Sequence, residues 1–332
     1  MQLPDPIRSS VLAVPPDPAK IVSVKTSVVI PTFNGGAEIG PLLAALRAQQ
    51  PRPPDEILAI DSGSRDNTCD LVRNAGGRVI EWKERFNHGL TRDAGIAAST
   101  GEIVLLTVQD AVPAANDWLA RIVAHFEDDQ VGGVSSRQIP PADGPLELQI
   151  KAKLEADAMP EPVRLRLSDH PGYAAYTPAQ RLELYRFDDV CSALRRSAWE
   201  KIPFGACRYA EDLQWVRRAL EAGYTIVRDP FAPVIHAHRR RFWYEFRRAI
   251  LDAWVLDEAF GYRYRLRDKL DRVARVAGSG NGNLRPTWGS RLNAVKTYSA
   301  HVLGRSLYGT YRAIGRPLGV GEGAMDWMTR GI

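Results

Sequence analysis

Cysteine is scarce in this chain of 332 residues: Cys69, Cys191 and Cys207 are all there is. They lie far apart, and none makes a close Cys/Cys or Cys/His metal spacing. They read as structural thiols of a reducing compartment. Long apolar runs are missing too, since nothing approaches the ~20 residues of a membrane span. Met1 to Ser23 is rich in proline and lacks a positive region followed by an apolar stretch, so it is not a secretion signal. The chain is therefore expected to be cytoplasmic, either soluble or peripheral at the inner face of the membrane. The GxGxxG and GK[ST] spacings are absent, which excludes dinucleotide and P-loop sites. No internal repeat is present.

What remains is an ordinary globular composition, 45% hydrophobic and 25% charged. The net charge of +5 is unevenly placed. Residues 239–332 hold 18 Lys+Arg against 8 Asp+Glu, a balance of +10, and residues 1–238 hold 26 against 31, a balance of −5. The basic part opens at Arg239-Arg240-Arg241 and is interleaved with Phe242, Trp243, Tyr244, Phe246 and Trp254. That pattern suits an anionic membrane surface. A solvated helix face fits it as well, and a homodimer interface on Leu292 to Ile314 is the competing use of the apolar side. Nucleic acid is not expected as a partner, because no nucleic-acid motif accompanies the charge.

Hydrophobic periodicity predicts an alternation of strand and helix. Strands are expected at Thr26 to Thr32, Glu56 to Ile60, Arg78 to Trp82 and Glu102 to Thr107. Helices are expected at Glu38 to Gln50, Asp66 to Asn74, Leu90 to Ser99 and Asp117 to Phe126. Short loops join them, the signature of a mostly parallel central sheet flanked by helices, an α/β fold. Further on, a helix is expected at Leu146 to Ala158, a long loop at Glu161 to Phe187, a strand at Val190 to Arg195 and a helix at Ala210 to Ala222. A helix from Phe242 to Ala277 interrupted near Gly261, a flexible break at Gly278 to Gly282 and a last helix at Leu292 to Ile314 complete the pattern.

In open α/β sheets ligands sit beyond the carboxyl ends of strands. Three such ends carry polar residues: Pro31-Thr32-Phe33-Asn34, Asp61-Ser62 and Gln109-Asp110. Asp61 can accept from a base N–H or a ribose hydroxyl, while Asp66 reads equally as a helix cap. Arg92 can fork onto phosphate oxygens. Asp110, at the mouth of an apolar strand, can hold a hard divalent cation. Asp212 reads as a functional carboxylate or as a first-turn partner of the helix dipole. His236 and His238 share one face if extended, and either alone suits a core. His88 reads equally as a loop tie, and Trp215 and Trp243 read as core.

The ordered set PTFNGG, DSGSRDNT, FNHGLTRDAG, TVQDA and YAEDLQW resembles family 2 glycosyltransferases with the GT-A (Rossmann-like) fold. FNHGLTRDAG with QDAVP, and the later HAHRRRFWYEFRRAILDA, are similar to bacterial rhamnosyltransferases of O-antigen synthesis. The resemblance implies an inverting transfer from a nucleotide-sugar donor, dTDP-rhamnose above all, to a glycan or lipid-linked acceptor. It implies a Mg²⁺ or Mn²⁺ cofactor. It places Pro31, Thr32, Asn34, Asp61, Ser62, His88, Arg92, Gln109, Asp110 and Glu211 around the nucleotide sugar, with Arg92 on the diphosphate. Asp110, His236 and His238 become metal ligands, and Asp212 the general base. Residues 1–24 are expected to be a flexible N-terminal segment, 25–238 the GT-A catalytic domain and 239–332 a helical C-terminal extension.

The sequence departs from the family pattern at Val108-Gln109-Asp110, where the first aspartate of Asp-X-Asp is missing. The Gln-X-X-Arg-Trp motif of processive synthases is also absent, which points to single-sugar addition. The missing aspartate supports a rival reading, a catalytically silent module that binds a polysaccharide-assembly partner. A nucleotidyltransferase, which would release pyrophosphate, is the alternative among enzymes.

Overall fold

The computed structural model describes residues 23–144, 146–207, 209–238, 241–264 and 288–315. The chain divides into two compact units, Met1–Pro141 with Ala156–His236, and Ala142–Glu155 with Ala237–Ile332.

The strands of the first unit are β1 (Thr26–Thr32), β2 (Glu56–Asp61), β3 (Arg78–Glu81), β4 (Ile103–Thr107), β5 (Val112–Pro113), β6 (Val131–Ser135), β7 (Gln138–Ile139), β8 (Val163–Leu165), β9 (Cys191–Arg195), β10 (Thr225–Arg228) and β11 (Val234–Ile235). Eight form the main sheet in the order β3-β2-β1-β4-β9-β6-β10-β8, and β5-β11-β7 form a small second sheet. In the main sheet β9 and β8 are antiparallel to their neighbours, and every other pairing is parallel. β1, β2 and β4 are buried on both faces as a parallel sheet requires, while β3, at the edge of the sheet, is exposed at Arg78 and Glu81 and half-buried at Val79 and Ile80. The helix Ile39–Arg47 lays Ile39, Leu42, Leu43 and Leu46 into a core shared with Val28, Ile30, Ile57 and Leu105. Burying one such side chain is worth about 1.5–3 kcal/mol.

One expectation fails for an identifiable reason, and one strand was not foreseen. The stretch Glu161–Phe187 is not one long loop, because it contains β8 and the helix Pro178–Leu184, which opens on a capping box between Thr177 and Gln180. Around β8, Arg164 pairs with Asp128 and Arg166 Nε donates to Thr225 Oγ1 at 2.6 Å. Polar anchoring replaces the apolar alternation that marks a strand. β6 escapes the sequence pattern because it carries Gly132-Gly133. A Cβ on Gly133 would stand 2.8 Å from the ring of the buried Trp215, so the glycine makes room for an indole.

In the second unit the helices Phe242–Phe260 and Trp288–Thr310 pack so closely that a Cβ on Gly304 would meet the Phe246 carbonyl oxygen at 2.5 Å. His301 Nε2 lies 2.8 Å from Glu245 Oε2, and the Tyr308 hydroxyl donates to Asp257 at 3.1 Å. Gly261, at φ 66°, ends the first helix where the interruption is expected. The expected continuation to Ala277 and the break at Gly278 to Gly282 reach into residues 265–287, outside the described residues. The last helix starts earlier than expected, at Trp288, and ends in a wider turn over Tyr311–Gly315. No helix among the described residues is long and apolar enough to cross a membrane.

Candidate active site

Because β1, β2 and β4 run parallel, Thr32, Asp61 and Asp110 emerge at one edge of the sheet. The register Thr107↔Cys191 makes β9 antiparallel to β4, so Asp188 and Asp189, just before β9, arrive at that same edge. The small sheet adds Gln138 and His236, whose backbone N–H donates to the Ile139 carbonyl at 2.9 Å.

The turns after β1 and β2 are bolted together. Asn34 sits in the left-handed region at φ 46°, its N–H donating to Ser64 Oγ at 2.8 Å and its Oδ1 accepting from Arg65 N at 2.9 Å. Asp61 is buried and accepts four hydrogen bonds: Thr32 Oγ1 at 3.0 Å, Ser64 Oγ at 2.5 Å, Ser64 N at 2.8 Å and Gly63 N at 3.1 Å. Burial opposes its charge, but these donors outweigh it and hold the carboxyl below its usual range. Asp61 and Thr32 thus shape the turn of the expected nucleotide pocket. Ser62 Oγ is buried with no protein partner among the described residues, and Pro31 is half-buried beside Ile60. Gln109 latches the end of β4 to that of β1, accepting from Phe33 N at 2.9 Å and donating to Phe33 O at 3.3 Å. A Cβ on Gly35 would meet Gln109 Cδ at 2.4 Å.

The helix His88–Ala98 explains nearly every residue of FNHGLTRDAG. Asn87 caps it, accepting from Leu90 N at 3.1 Å and also from Cys207 N at 3.1 Å. A Cβ on Gly89 would stand 2.1 Å from the Gly205 carbonyl oxygen, and one on Gly95 would stand 2.4 Å from Val29 Cγ1. Asp93 accepts from Trp199 Nε1 at 2.6 Å, Phe204 N at 2.9 Å and Gly205 N at 2.7 Å. The segment so held leads through Ala210, left-handed at φ 57°, into the helix Glu211–Glu221.

Arg92 is 5% exposed. Expected on a diphosphate, its guanidinium faces carboxylates instead: Nη1 is 2.8 Å from Glu211 Oε1, and Nε is 3.3 Å from Asp189 Oδ2. Glu211, expected near the donor, is buried and serves this pair. His88 Nδ1 lies 3.8 Å from the same Glu211 oxygen, with its ring edge-on to Phe86 and Tyr209. The neighbouring Asp212 is half-buried. Burial, then the charges of Glu211, Asp189 and Asp188, push its carboxyl well above the ordinary range. Asp189 is pushed up as well, by burial first, with Arg92 pulling the other way.

Asp110 Oδ1 lies 3.4 Å from His236 Nε2. An oxygen and an imidazole nitrogen suit Mn²⁺ or Mg²⁺. With bonds of ~2.1 Å, adjacent corners of an octahedron are about 3 Å apart, so the spacing fits a shared cation. His238 is exposed and belongs to the second unit. Trp215 is core, donating to Ile202 O at 2.7 Å, but Trp243 is not, being 68% exposed.

The sequence model of Glycosyl transferase family 2 matches residues 27–202. The chain belongs to this family. It is 29% identical to the O-antigen chain rhamnosyltransferase RfbN of Salmonella typhimurium, over 68% of this chain and 70% of that protein. It is 27% identical to the O-antigen chain rhamnosyltransferase WbaN of Salmonella anatum, over 67% and 69%. Among solved structures, a mannosyltransferase of Pyrobaculum calidifontis in complex with GDP-Man and Mn²⁺ aligns at TM-score 0.53 and 20% identity, over 95% of this chain and 86% of that one. Glucosyl-3-phosphoglycerate synthase of Mycobacterium tuberculosis aligns at 0.50 and 19%, over 78% and 89%. The fold of this glycosyltransferase is therefore GT-A.

Its sequence hides three site residues. Asp189 lies in the polar run Asp188-Asp189 with no helical or strand period, Asp93 is one polar residue within a helix, and Gln138 follows β6, the strand that Gly132-Gly133 conceals. The one available signal was Asp188-Asp189 immediately before an apolar strand.

Proposed function

We propose that this glycosyltransferase moves a sugar, with inversion, from a nucleoside-diphosphate donor to an acceptor hydroxyl in cell-surface polysaccharide or glycolipid synthesis. The proposed donor is dTDP-rhamnose, in line with the names of the two Salmonella relatives. The observation that carries the reading is Asp212, a carboxylate made more basic by its surroundings and placed beside a Glu211 that Arg92 already neutralises. Asp212 takes the proton of the acceptor hydroxyl as that oxygen bonds to the anomeric carbon and the bond to the diphosphate oxygen breaks. A single base and no covalent nucleophile suffices for inversion. Asp110 and His236 would hold a divalent cation, which would neutralise the departing diphosphate. Gln109 and Asn34 set the turns that flank it.

Product analysis with a panel of nucleotide sugars on a lipid-linked acceptor tests this, with dTDP-rhamnose expected to be consumed. Thermal shift with nucleoside diphosphates, with and without Mn²⁺, runs beside it. No product and no shift with any of them would sink the enzyme reading and favour the silent binding module.

A second reading concerns the second unit, which we propose rests on an anionic membrane surface near its acceptor. The +10 balance of residues 239–332 supports it, as do the exposed Trp243, Leu303 and Leu307.

A further inference from the structure

Gln138 touches two polar groups at once. Its Nε2 donates to Asp188 Oδ2, and its Oε1 lies 2.6 Å from His236 Nδ1. Asp188 is itself fixed, because its Oδ1 accepts from Val190 N at 3.0 Å. The pairing Val234↔Gln138 between β11 and β7 sets the backbone.

These contacts determine one another. A carboxylate only accepts, so the amide NH₂ of Gln138 must face Asp188, and its carbonyl oxygen must face His236. A carbonyl oxygen also only accepts, so His236 Nδ1 carries the proton. In the neutral ring the lone pair then sits on Nε2. That atom faces Asp110 Oδ1 at 3.4 Å. Two lone pairs brought so close repel each other unless a cation or a proton lies between them.

We propose that Gln138 is a positioning residue of the donor site. It locks His236 in the Nδ1–H tautomer and aims Nε2 at Asp110, so the two together present a nitrogen and an oxygen to a divalent cation. Through Asp188 it also joins that pair to the acidic cluster around Asp212. The inference rests on the metal reading given above. A histidine ligand held by its second nitrogen is a recurrent way to tune metal affinity, and losing the holder costs ~10–100-fold.

The test uses the full chain labelled with ¹⁵N-histidine, free of metal at pH 8, in a two-bond ¹⁵N–¹H correlation. The His236 signals are assigned by their loss in His236→Asn. The expected result is the Nδ1–H tautomer in wild type and its loss in Gln138→Ala. Mn²⁺ alone is then titrated by electron paramagnetic resonance. Gln138→Ala should bind it ~10–100-fold more weakly. The exchanged pair Gln138→Glu/Asp188→Asn keeps both hydrogen bonds, reversing donor and acceptor only between positions 138 and 188 while position 138 still accepts from His236 Nδ1, and should restore affinity.

An Nε2–H tautomer in wild type overturns the proposal. So does unchanged Mn²⁺ affinity in Gln138→Ala, or a loss that the exchange leaves unrepaired, which would make Gln138 a packing residue. If wild type takes up no Mn²⁺, the metal reading falls and the tautomer alone decides the role of Gln138.

Discussion

Arg92 Nη1 lies 2.8 Å from Glu211 Oε1, with both side chains buried. The pair divides two adjacent carboxylates into different tasks. Glu211 serves as counter-ion, so it contributes charge and position but no free base. Asp212, one residue on, has no such counter-ion among the described residues, and burial first, then the charges of Glu211, Asp189 and Asp188, raise its carboxyl above the ordinary range and make it the better proton acceptor. Under the proposed function, this charged network is what would assign the chemistry to Asp212 and not to Glu211.

Removing that guanidinium should be costly. Arg92→Met leaves Glu211 and Asp189 buried without compensation, a loss of about 3–5 kcal/mol by the usual measure of broken buried pairs. Arg92→Lys keeps the charge but cannot reach both carboxylates in one plane, and should recover only part of it. Urea unfolding of the three proteins checks this. Equal midpoints would mean that the pair contributes nothing.

Asp212 is harder to ionise folded than unfolded. Its charge therefore costs nothing below the ordinary aspartate pKa of ~3.9, and costs progressively more as pH rises through the folded value. Asp212→Asn should thus raise the unfolding midpoint at pH 8, with the gain vanishing near pH 3.5, while cutting turnover by ~10²–10⁴. The acid limb of kcat in wild type should lie above the usual carboxylate range, and Glu211→Gln should move it down. A destabilised Asp212→Asn at pH 8 would contradict the electrostatics. Asp61, held low by its donors, acts in the opposite sense and loses its contribution as pH falls.

Much of the first unit was legible in sequence, because Thr26–Thr32 is a short β-branched run, Ile103–Thr107 is apolar up to its last residue and the helix Ile39–Arg47 has one clean face. β6 and β8 were not, since one trades side chains for the Trp215 ring and the other is anchored by arginines. In the site, residue types pointed to charge chemistry, but not to which charges meet. Arg92 fits a phosphate or a carboxylate equally well as a residue type. The approach of Gly89 to Gly205, with the bonds from Asn87 and Asp93 to the same segment, brings two distant stretches together and sets Arg92 against Glu211.

That approach is itself testable. Gly89→Ala places a methyl 2.1 Å from the Gly205 carbonyl oxygen, which is backbone and cannot swing away. The helix must shift, at a cost of about 1–3 kcal/mol. Because the same helix carries Arg92, turnover should fall more than stability does. Thermal melts and initial rates, read together, decide. A variant with wild-type rates would show that the contact does not position Glu211.

Asp110 and His236 should fail alike. Asp110→Asn keeps the shape and removes the charge, and His236→Asn removes the nitrogen. Each should weaken Mn²⁺ binding by an order of magnitude or more and lower turnover while the melting temperature stays near wild type. Excess chelator should do the same to the native protein. Full transfer in chelator would remove the metal from the mechanism while leaving Asp212 in place.

The basic second unit yields the last expectation. Residues 239–332 hold a balance of +10, and Trp243 is 68% exposed on the helix Phe242–Phe260. Each basic residue near an acidic leaflet adds about 1 kcal/mol, an attraction lost beyond a Debye length of roughly 10 Å at 0.1 M salt. An indole at that depth anchors at the interface. The protein should therefore sediment with vesicles containing acidic lipid at low salt, release steeply as salt rises, and ignore neutral vesicles. Trp243→Ala should weaken binding without changing its salt slope, because it removes depth and not charge. The competing use of the apolar side is self-association, in which Leu303 and Leu307, 53% and 39% exposed, meet a second copy. A protein that stays in the supernatant with acidic vesicles yet runs as a dimer, and becomes monomeric on Leu303→Glu, would settle the matter for the interface and against the membrane.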